Sequence, residues 1–542
     1  YSDFFDIARN IELLGRVYRE VSENYVDEIS VAEFMRAGID GMLATLDPYT
    51  VFMDEEQSDD LDQLTTGKYA GVGITISGKD NEIIVMSVTE GYSAQKAGVR
   101  IGDKIVEVAG QNVRGKPLDD VRKLIKGESN TEVAITVERE GESKPIKFSL
   151  VRLEVAIKNV TYVNLMDDGI GYVDIQRFSV KAADELGEAV EALQDSAKKR
   201  GGTLQGLVLD LRDDPGGLLD VAVGVSGKFV PKGSTIVTTR GRDSSKVRTY
   251  ASTTEPLLKG VPLAVLINNA SASASEIVAG AVQDLDRGIV VGSRSFGKGL
   301  VQTITRLPYN TSLKITTAKY YTPSGRLIQE VDYFQRNKRE GKRDVIQNGS
   351  DTTKLAYKTK AGRVVYGGGG IMPDVLVKDR EPSNLEKQLL RKSLFFKFAN
   401  RFRSENRALP KNFKVTEDIL VSFKRYLKEQ NFEYEYETEL ALNELSTRFS
   451  KQEYPEPARQ KLKELRAVVL SEKEKDFDHQ KDIILSKLEH EILMRYDSDR
   501  ARLAAFKYDA QFHEAVAVLK DSKRYQALLT VPAKKREAKA GN

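Results

Sequence analysis

The chain has 542 residues, too many for a single domain, and its 83 Lys and Arg against 80 Asp and Glu leave a net charge of +3. That balance argues against a nucleic-acid binder, which needs a basic excess gathered on one face. Cysteine is absent, which excludes a thiol nucleophile, a disulfide framework and a thiolate metal site.

In chain order, residues 1–66 read as two helices. Phe5, Ile7, Ile11, Leu14 and Val17 fall near helical spacing, and Ser30 is placed to cap a second helix through Phe34, Ile39 and Met42. Asp47–Pro48 ends it. The chain begins at Tyr1, and a signal peptide or lipid anchor is expected to have been removed ahead of it.

Residues 67–154 read as a small mixed domain. The turn Gly71-Val72-Gly73-Ile74 leads into a strand, followed by strands at Ile83–Val88, Ile105–Val108 and Glu132–Glu138. Short helices are predicted near Ala94–Ala97 and over Leu118–Lys126, with a turn at Gly98–Gly102.

Residues 155–380 alternate strand, loop and helix, the pattern of an α/β core with a largely parallel sheet. Leu207–Leu211 and Leu263–Ile267 are short apolar strands of the buried type, each leading through a loop into a helix. Ligand groups in such sheets sit at strand C-terminal ends. Within this region, residues 336–360 are polar and charged and are predicted to be a mobile insertion.

Of the 41 glycines only Gly541 lies beyond Gly370, and residues 381–542 read as helices. Leu385, Leu389, Leu390, Phe395 and Phe396 make one apolar stripe; Ile419, Leu420, Phe423 and Leu427 make another. The basic tail Lys534–Asn542 is expected to be disordered. The longest apolar runs, such as Val261 to Ile267, fall far short of the roughly 20 residues that cross a bilayer.

Histidine placement constrains the chemistry. The three histidines are His479, His490 and His513, so imidazole serves no reaction in the first 470 residues, and their spacing to other ligand types implies no metal site. Ser271-Ala272-Ser273-Ala274-Ser275-Glu276 follows a buried-type strand and opens a helix, where backbone N–H groups and the dipole favour negative charge. With no histidine at hand, a lysine made neutral by burial is the natural base for a serine. Ser295-Phe296-Gly297-Lys298-Gly299 offers one between two strands. Leu209-Asp210-Leu211-Arg212-Asp213-Asp214-Pro215-Gly216-Gly217 adds a strand end whose glycines let backbone approach a ligand closely.

Together these three segments resemble the carboxyl-terminal processing (tail-specific) proteases of the S41 peptidase family. Tyr321-Thr322-Pro323-Ser324-Gly325-Arg326 and Gly370-Ile371-Met372-Pro373-Asp374 match as well, and the resemblance covers roughly residues 67–378. It implies a serine endopeptidase with Ser273 as nucleophile, Lys298 as base and Gln302 as the residue that orients the lysine. The oxyanion donors it implies are the N–H of Ala274 and of Gly216 or Gly217. Asp284 also matches a family position, with a structural role at the helix end. The implied architecture is multidomain α/β: a crotonase-like protease core at 155–380 with a PDZ domain at 67–154 ahead of it. Helical regions at 1–66 and 381–542 flank the two. A PDZ domain adds a C-terminal tail as an extra strand and holds its carboxylate on loop amides, here Tyr69, Ala70, Gly71, Val72, Gly73 and Ile74. No cofactor is implied. The partners are substrate C-termini, with an adaptor protein or a second copy of the chain as further candidates for the helical regions. The implied location is the periplasm or cell envelope. A non-catalytic peptide-binding scaffold and an acyl-CoA enzyme are the competing readings. Neither requires a Ser–Lys–Gln set at these spacings.

Overall fold

The computed structural model describes residues 3–530 apart from 56, 59–66, 244, 334–354, 435 and 453. The chain divides into two units, one of residues 1–67, 158–378 and 514 onward, the other of residues 68–157 and 379–513.

The first unit is built on a six-stranded sheet in the order Val160–Leu165, Ile170–Ile175, Gly206–Asp210, Leu263–Ile267, Ile289–Gly292, Val375–Leu376. Its first pair is antiparallel and the remaining neighbours run parallel. Every residue of Gly206–Asp210, Leu263–Ile267 and Ile289–Gly292 is buried, the condition of parallel strands covered on both faces. On one face Leu207, Leu209, Leu263, Val265, Ile267 and Val290 pack with Phe178, Phe229 and Val278 in one continuous core. Because these three strands are adjacent and parallel, the loops after them leave one end of the sheet together.

A second, antiparallel sheet holds Val51–Met53, Ser312–Tyr321, Thr235–Gly241, Val247–Ala251 and Leu300–Arg306, the last also paired to Ser312–Tyr321. It gave no clear signal beforehand, since its strands are half-exposed and mixed in polarity. The N-terminal helices run over Asp3–Asn24 and Val31–Leu43, and Ser30 Oγ caps the second by accepting from the Glu33 N–H. The helix Ser522–Leu529 also belongs here: the Leu263 N–H donates to the Tyr525 hydroxyl at 3.0 Å. The stretch 334–354 and the tail from 531 lie outside the described residues. The end of the expected mobile insertion is regular, however, because Ala356–Lys358 pairs with Val364–Tyr366.

In the second unit, an antiparallel sheet runs Ile74–Lys79, Glu82–Val88, Lys104–Val108, Glu132–Glu138, Ile146–Val151. Helices Ser93–Ala97 and Leu118–Ile125 complete the small domain around Val85, Val108, Val121 and Val137. The helical part begins with Asn384–Arg391 and Leu394–Glu405. The single apolar stripe expected from Leu385 to Phe396 is therefore two helices, broken where Ser393 takes φ 52°. Lys79 Nζ donates to the Arg391 carbonyl at 2.6 Å, which ties this break to the small domain. Among the described residues no helix is long and apolar enough to cross a membrane.

Candidate active site

Three loops at one end of the parallel strands carry the residues singled out from the sequence. After Leu263–Ile267 the chain turns through Asn268 and starts the helix Ala274–Asp284. The outer serines of the block pin this turn. Ser271 Oγ accepts from the Asn268 N–H at 2.9 Å and donates to the Leu211 carbonyl at 2.7 Å. Ser275 Oγ donates to the Asp214 carbonyl at 3.1 Å. Both are fully buried, and only Ser273 is partly open to solvent. Ser273 stands at φ 55°, ψ −108°. A side chain holds such a backbone only under outside constraint, at a cost of about 1–3 kcal/mol. Strained strand-to-helix turns of this kind expose nucleophilic serines in other folds.

The loop from Gly206–Asp210 packs against that turn. A Cβ at Gly216 would stand 2.6 Å from the Ala272 carbonyl oxygen and 2.8 Å from the Ala274 nitrogen. With φ at 96° as well, the position accepts glycine alone. The Gly216 N–H donates to its own loop, to Asp214 Oδ1 at 2.8 Å. Among the described residues the N–H groups of Gly217 and Ala274 have no hydrogen-bond partner. Burial pushes the Asp214 carboxyl up to about 7.

Lys298 follows Ile289–Gly292 in the third loop. Its amide donates to Glu276 Oε2 at 2.9 Å, and the Ser273 amide donates to the same oxygen at 2.8 Å. Glu276 Oε1 accepts from Ser295 Oγ at 2.6 Å and from the Gly297 N–H at 2.7 Å. Burial pushes the Glu276 pKa up to about 7 even against these four hydrogen bonds, so the carboxylate is ionised on the alkaline side of neutrality. The fully buried Tyr320 hydroxyl lies 3.1 Å from the Ser273 carbonyl and 2.5 Å from that of Lys298. Above the lysine, Nζ sits 4.5 Å from the centroid of the Tyr49 ring. Burial lowers the Lys298 pKa below the usual lysine value and Lys314 lowers it further, while Glu276 and Asp47 oppose the shift.

Gln302 is half-buried on Leu300–Arg306 and donates to Thr316 Oγ1 at 3.4 Å. Asp284 closes the far end of the serine's helix, where Oδ1 pairs with Arg326 at 2.8 Å and Oδ2 accepts from the Ser324 N–H at 3.1 Å. In the second unit, Lys68–Gly71 pairs with Leu153–Ala156, and Val72 and Gly73 connect it to Ile74–Lys79. The Val72 side chain is buried, its carbonyl accepts from the Ala94 N–H, and Gly73 takes φ 83°. The Val72 and Gly73 amides have no partner among the described residues. A Cβ on Gly71 would meet the Tyr69 ring at 2.7 Å.

Four family descriptions match in chain order. They are the activating protease CtpB N-terminal domain at residues 5–57, the PDZ domain at 84–139, peptidase family S41 at 169–333, and the probable PDZ-protease C-terminal helical domain at 385–519. A carboxy-terminal-processing protease of Bartonella bacilliformis is 39% identical over 323 residues, which take in 60% of this chain and 73% of that protein. This chain belongs to peptidase family S41. A probable CtpA-like serine protease of Staphylococcus aureus is 36% identical over 59% of this chain and 62% of its own length. The solved photosystem II D1 C-terminal processing protease shares 29% identity over 67% of this chain and 92% of its own, with a TM-score of 0.35.

For an S41 peptidase, the sequence reading missed the groups beneath the site. Glu276 stands three residues after Ser273 at a helix start, the spacing of a capping box, and that signal was available. Tyr320 and Tyr49 gave none, because long-range pairing alone brings them to the loop. The close approach of Gly216 yields a test. Gly216→Ala should lower kcat by about 100-fold with little change in KM, because the added methyl pushes the serine turn off its position. Stopped or steady-state cleavage of a fluorogenic peptide reads this out, and unchanged kcat would show that the two loops need not touch.

Proposed function

We propose that this S41 peptidase is a serine endopeptidase that cuts proteins near their C-termini through a Ser273–Lys298 pair and an acyl-enzyme. One observation carries the reading: a single buried carboxylate, Glu276, is bonded to the backbone of both residues, and the serine it holds is the accessible one of its block. Ser273 Oγ attacks the scissile carbonyl carbon while its proton passes to the neutral Lys298 amine. The C–N bond breaks, the lysine returns the proton to the leaving amine, and water then releases the acyl group. Free amides at Ala274 and Gly217 suit the oxyanion, and Gly216 serves by letting the loop come close. Gln302 is read as the residue that keeps the lysine in place.

The parallel strands, of which Ile170–Ile175, Gly206–Asp210 and Leu263–Ile267 each lead into a helix, support a crotonase-like reading of the core. Regions 1–66, 67–154, 155–380 and 381–542 are read as helical, PDZ, protease and helical parts. In the small domain the free amides of Val72 and Gly73 support capture of a tail carboxylate, with Tyr69 and Ala70 on the adjoining strand and Gly71 and Ile74 flanking the turn. Adaptor docking or self-association would fall to the terminal helical regions. A periplasmic or envelope location goes with this reading.

The test is Ser273→Ala. It should abolish both cleavage of an unfolded protein and labelling by a fluorophosphonate probe, with the melting temperature kept. Retained turnover in the purified variant would sink the assignment.

A further inference from the structure

Nucleophile and base come from loops after different strands, and nothing in the chain's order fixes the distance between them. Besides the Phe296 N–H, which donates to the Ser271 carbonyl at 3.0 Å, two buried side chains bridge the two loops. Glu276 accepts the amide hydrogens of Ser273 and Lys298 on one oxygen, at 2.8 and 2.9 Å. The Tyr320 hydroxyl faces the carbonyl oxygens of the same two residues, at 3.1 and 2.5 Å. Glu276 thus accepts the N–H of both residues, while the single Tyr320 hydroxyl proton lies between their carbonyls and donates to one of them at a time. Neither side chain has a different task on view. Glu276 spends its other oxygen on Ser295 and Gly297, which belong to the lysine's own loop. Tyr320 reaches the site from Ser312–Tyr321, which pairs directly with Leu300–Arg306, the strand that follows Lys298.

We infer that Glu276 and Tyr320 act as a two-sided clamp, positioning residues that hold Ser273 and Lys298 as one rigid pair. The inference rests on the Ser273–Lys298 reading. Two properties follow from the chemistry of the clamp. Its halves act on the same separation, so losing both should cost less than the product of the single losses. Its halves also differ in charge. The groups that face the Lys298 amine are Glu276 from the helix, Lys314 from the second sheet, and Asp47 and the Tyr49 ring from the loop before Val51–Met53. Of these, Glu276 and Asp47 favour the ammonium. Removing the Glu276 charge therefore makes the lysine easier to deprotonate, while removing the Tyr320 oxygen changes no charge.

The experiment compares Glu276→Gln, Tyr320→Phe and the double variant in the full-length chain, using peptide cleavage from pH 5 to 10. Tyr320→Phe should lower kcat by about 10-fold, and Glu276→Gln by about 100-fold, with KM within about 2-fold of wild type. The acid limb of kcat/KM should move to lower pH in Glu276→Gln and stay in place in Tyr320→Phe. The double variant should lose less than about 1000-fold. A merely structural role would lower the yield of folded protein without moving the limb. Should Glu276→Gln not fold, Tyr320→Phe alone decides, through its kcat loss at constant KM. Wild-type kcat in Tyr320→Phe, or losses that multiply, would overturn the clamp. If Ser273→Ala is inert while both clamp variants match wild type, the clamp fails and the catalytic pair stands; an active Ser273→Ala removes the pair itself.

Discussion

Replacing Lys298 with alanine should lower kcat/KM by about 10⁴-fold, and replacing it with arginine should do the same. The two variants separate charge from basicity. Arginine keeps a cation over the Tyr49 ring but cannot give up its proton, so it cannot take one from Ser273. In the wild type, burial holds the Lys298 pKa below its ordinary 10.5. Under the proposed mechanism the neutral amine is the working form, so kcat/KM should rise with pH through that lowered value and the rise should vanish in both variants. The same burial has a price in stability. Below both pKa values the lysine is charged folded and unfolded alike, and the folded state carries the full desolvation penalty. Between the folded value and 10.5 the unfolded chain binds more protons, so stability recovers as pH rises. Lys298→Met should therefore melt higher than wild type at pH 7 while being inert. A lower melting temperature for Lys298→Met, or an arginine variant with more than a few per cent of wild-type activity, would show that the amine is not an uncharged base.

What the sequence made legible is what local chemistry encodes. Leu263–Ile267 and Leu207–Leu211 read as buried strands because parallel strands are apolar on both faces, and the structure buries them throughout. Ser30 read as a cap because a capping hydroxyl acts within one turn. The second sheet was illegible for the opposite reason. Its strand Leu300–Arg306 is half-exposed, and its order depends on partners such as Val51–Met53 and Thr235–Gly241, far away in the chain. The site divides along the same line. Ser273, Lys298 and the glycine turn lie on strand-end loops whose composition is unusual, so they could be found one by one. Which serine of three is free depended on the Leu211 and Asp214 carbonyls, which only the fold brings to Ser271 and Ser275. Tyr49 is the extreme case. An unremarkable tyrosine after Asp47–Pro48 covers the lysine because Val51–Met53 adds to the edge of Ser312–Tyr321.

Asp284→Ala should cost about 3–5 kcal/mol and lower the melting temperature by roughly 10 °C, while leaving activity per folded molecule near wild type. Asp284 and Arg326 are both fully buried and 2.8 Å apart. The guanidinium also donates to Gln283 Oε1 at 2.6 Å and to the Tyr366 carbonyl at 3.2 Å, and its Nε is buried with no partner among the described residues. Those neutral acceptors cannot replace the carboxylate, so truncation strands a cation in the core. Restoring balance should rescue it: Asp284→Ala combined with Arg326→Met removes both charges and should regain most of the loss, since apolar substitutes for a buried pair are often neutral. Distance argues that the effect is structural. Asp284 closes the helix that Ser273 opens, and eleven residues at 1.5 Å each put about 16 Å between them. At that range a carboxylate neither receives the serine's proton nor touches the scissile bond. Thermal denaturation and kcat measured well below the transition decide it together. Stability lost at constant kcat, rescued in the double variant, fits a buried ion pair that anchors the helix; kcat lost at constant melting temperature would make Asp284 part of the reaction.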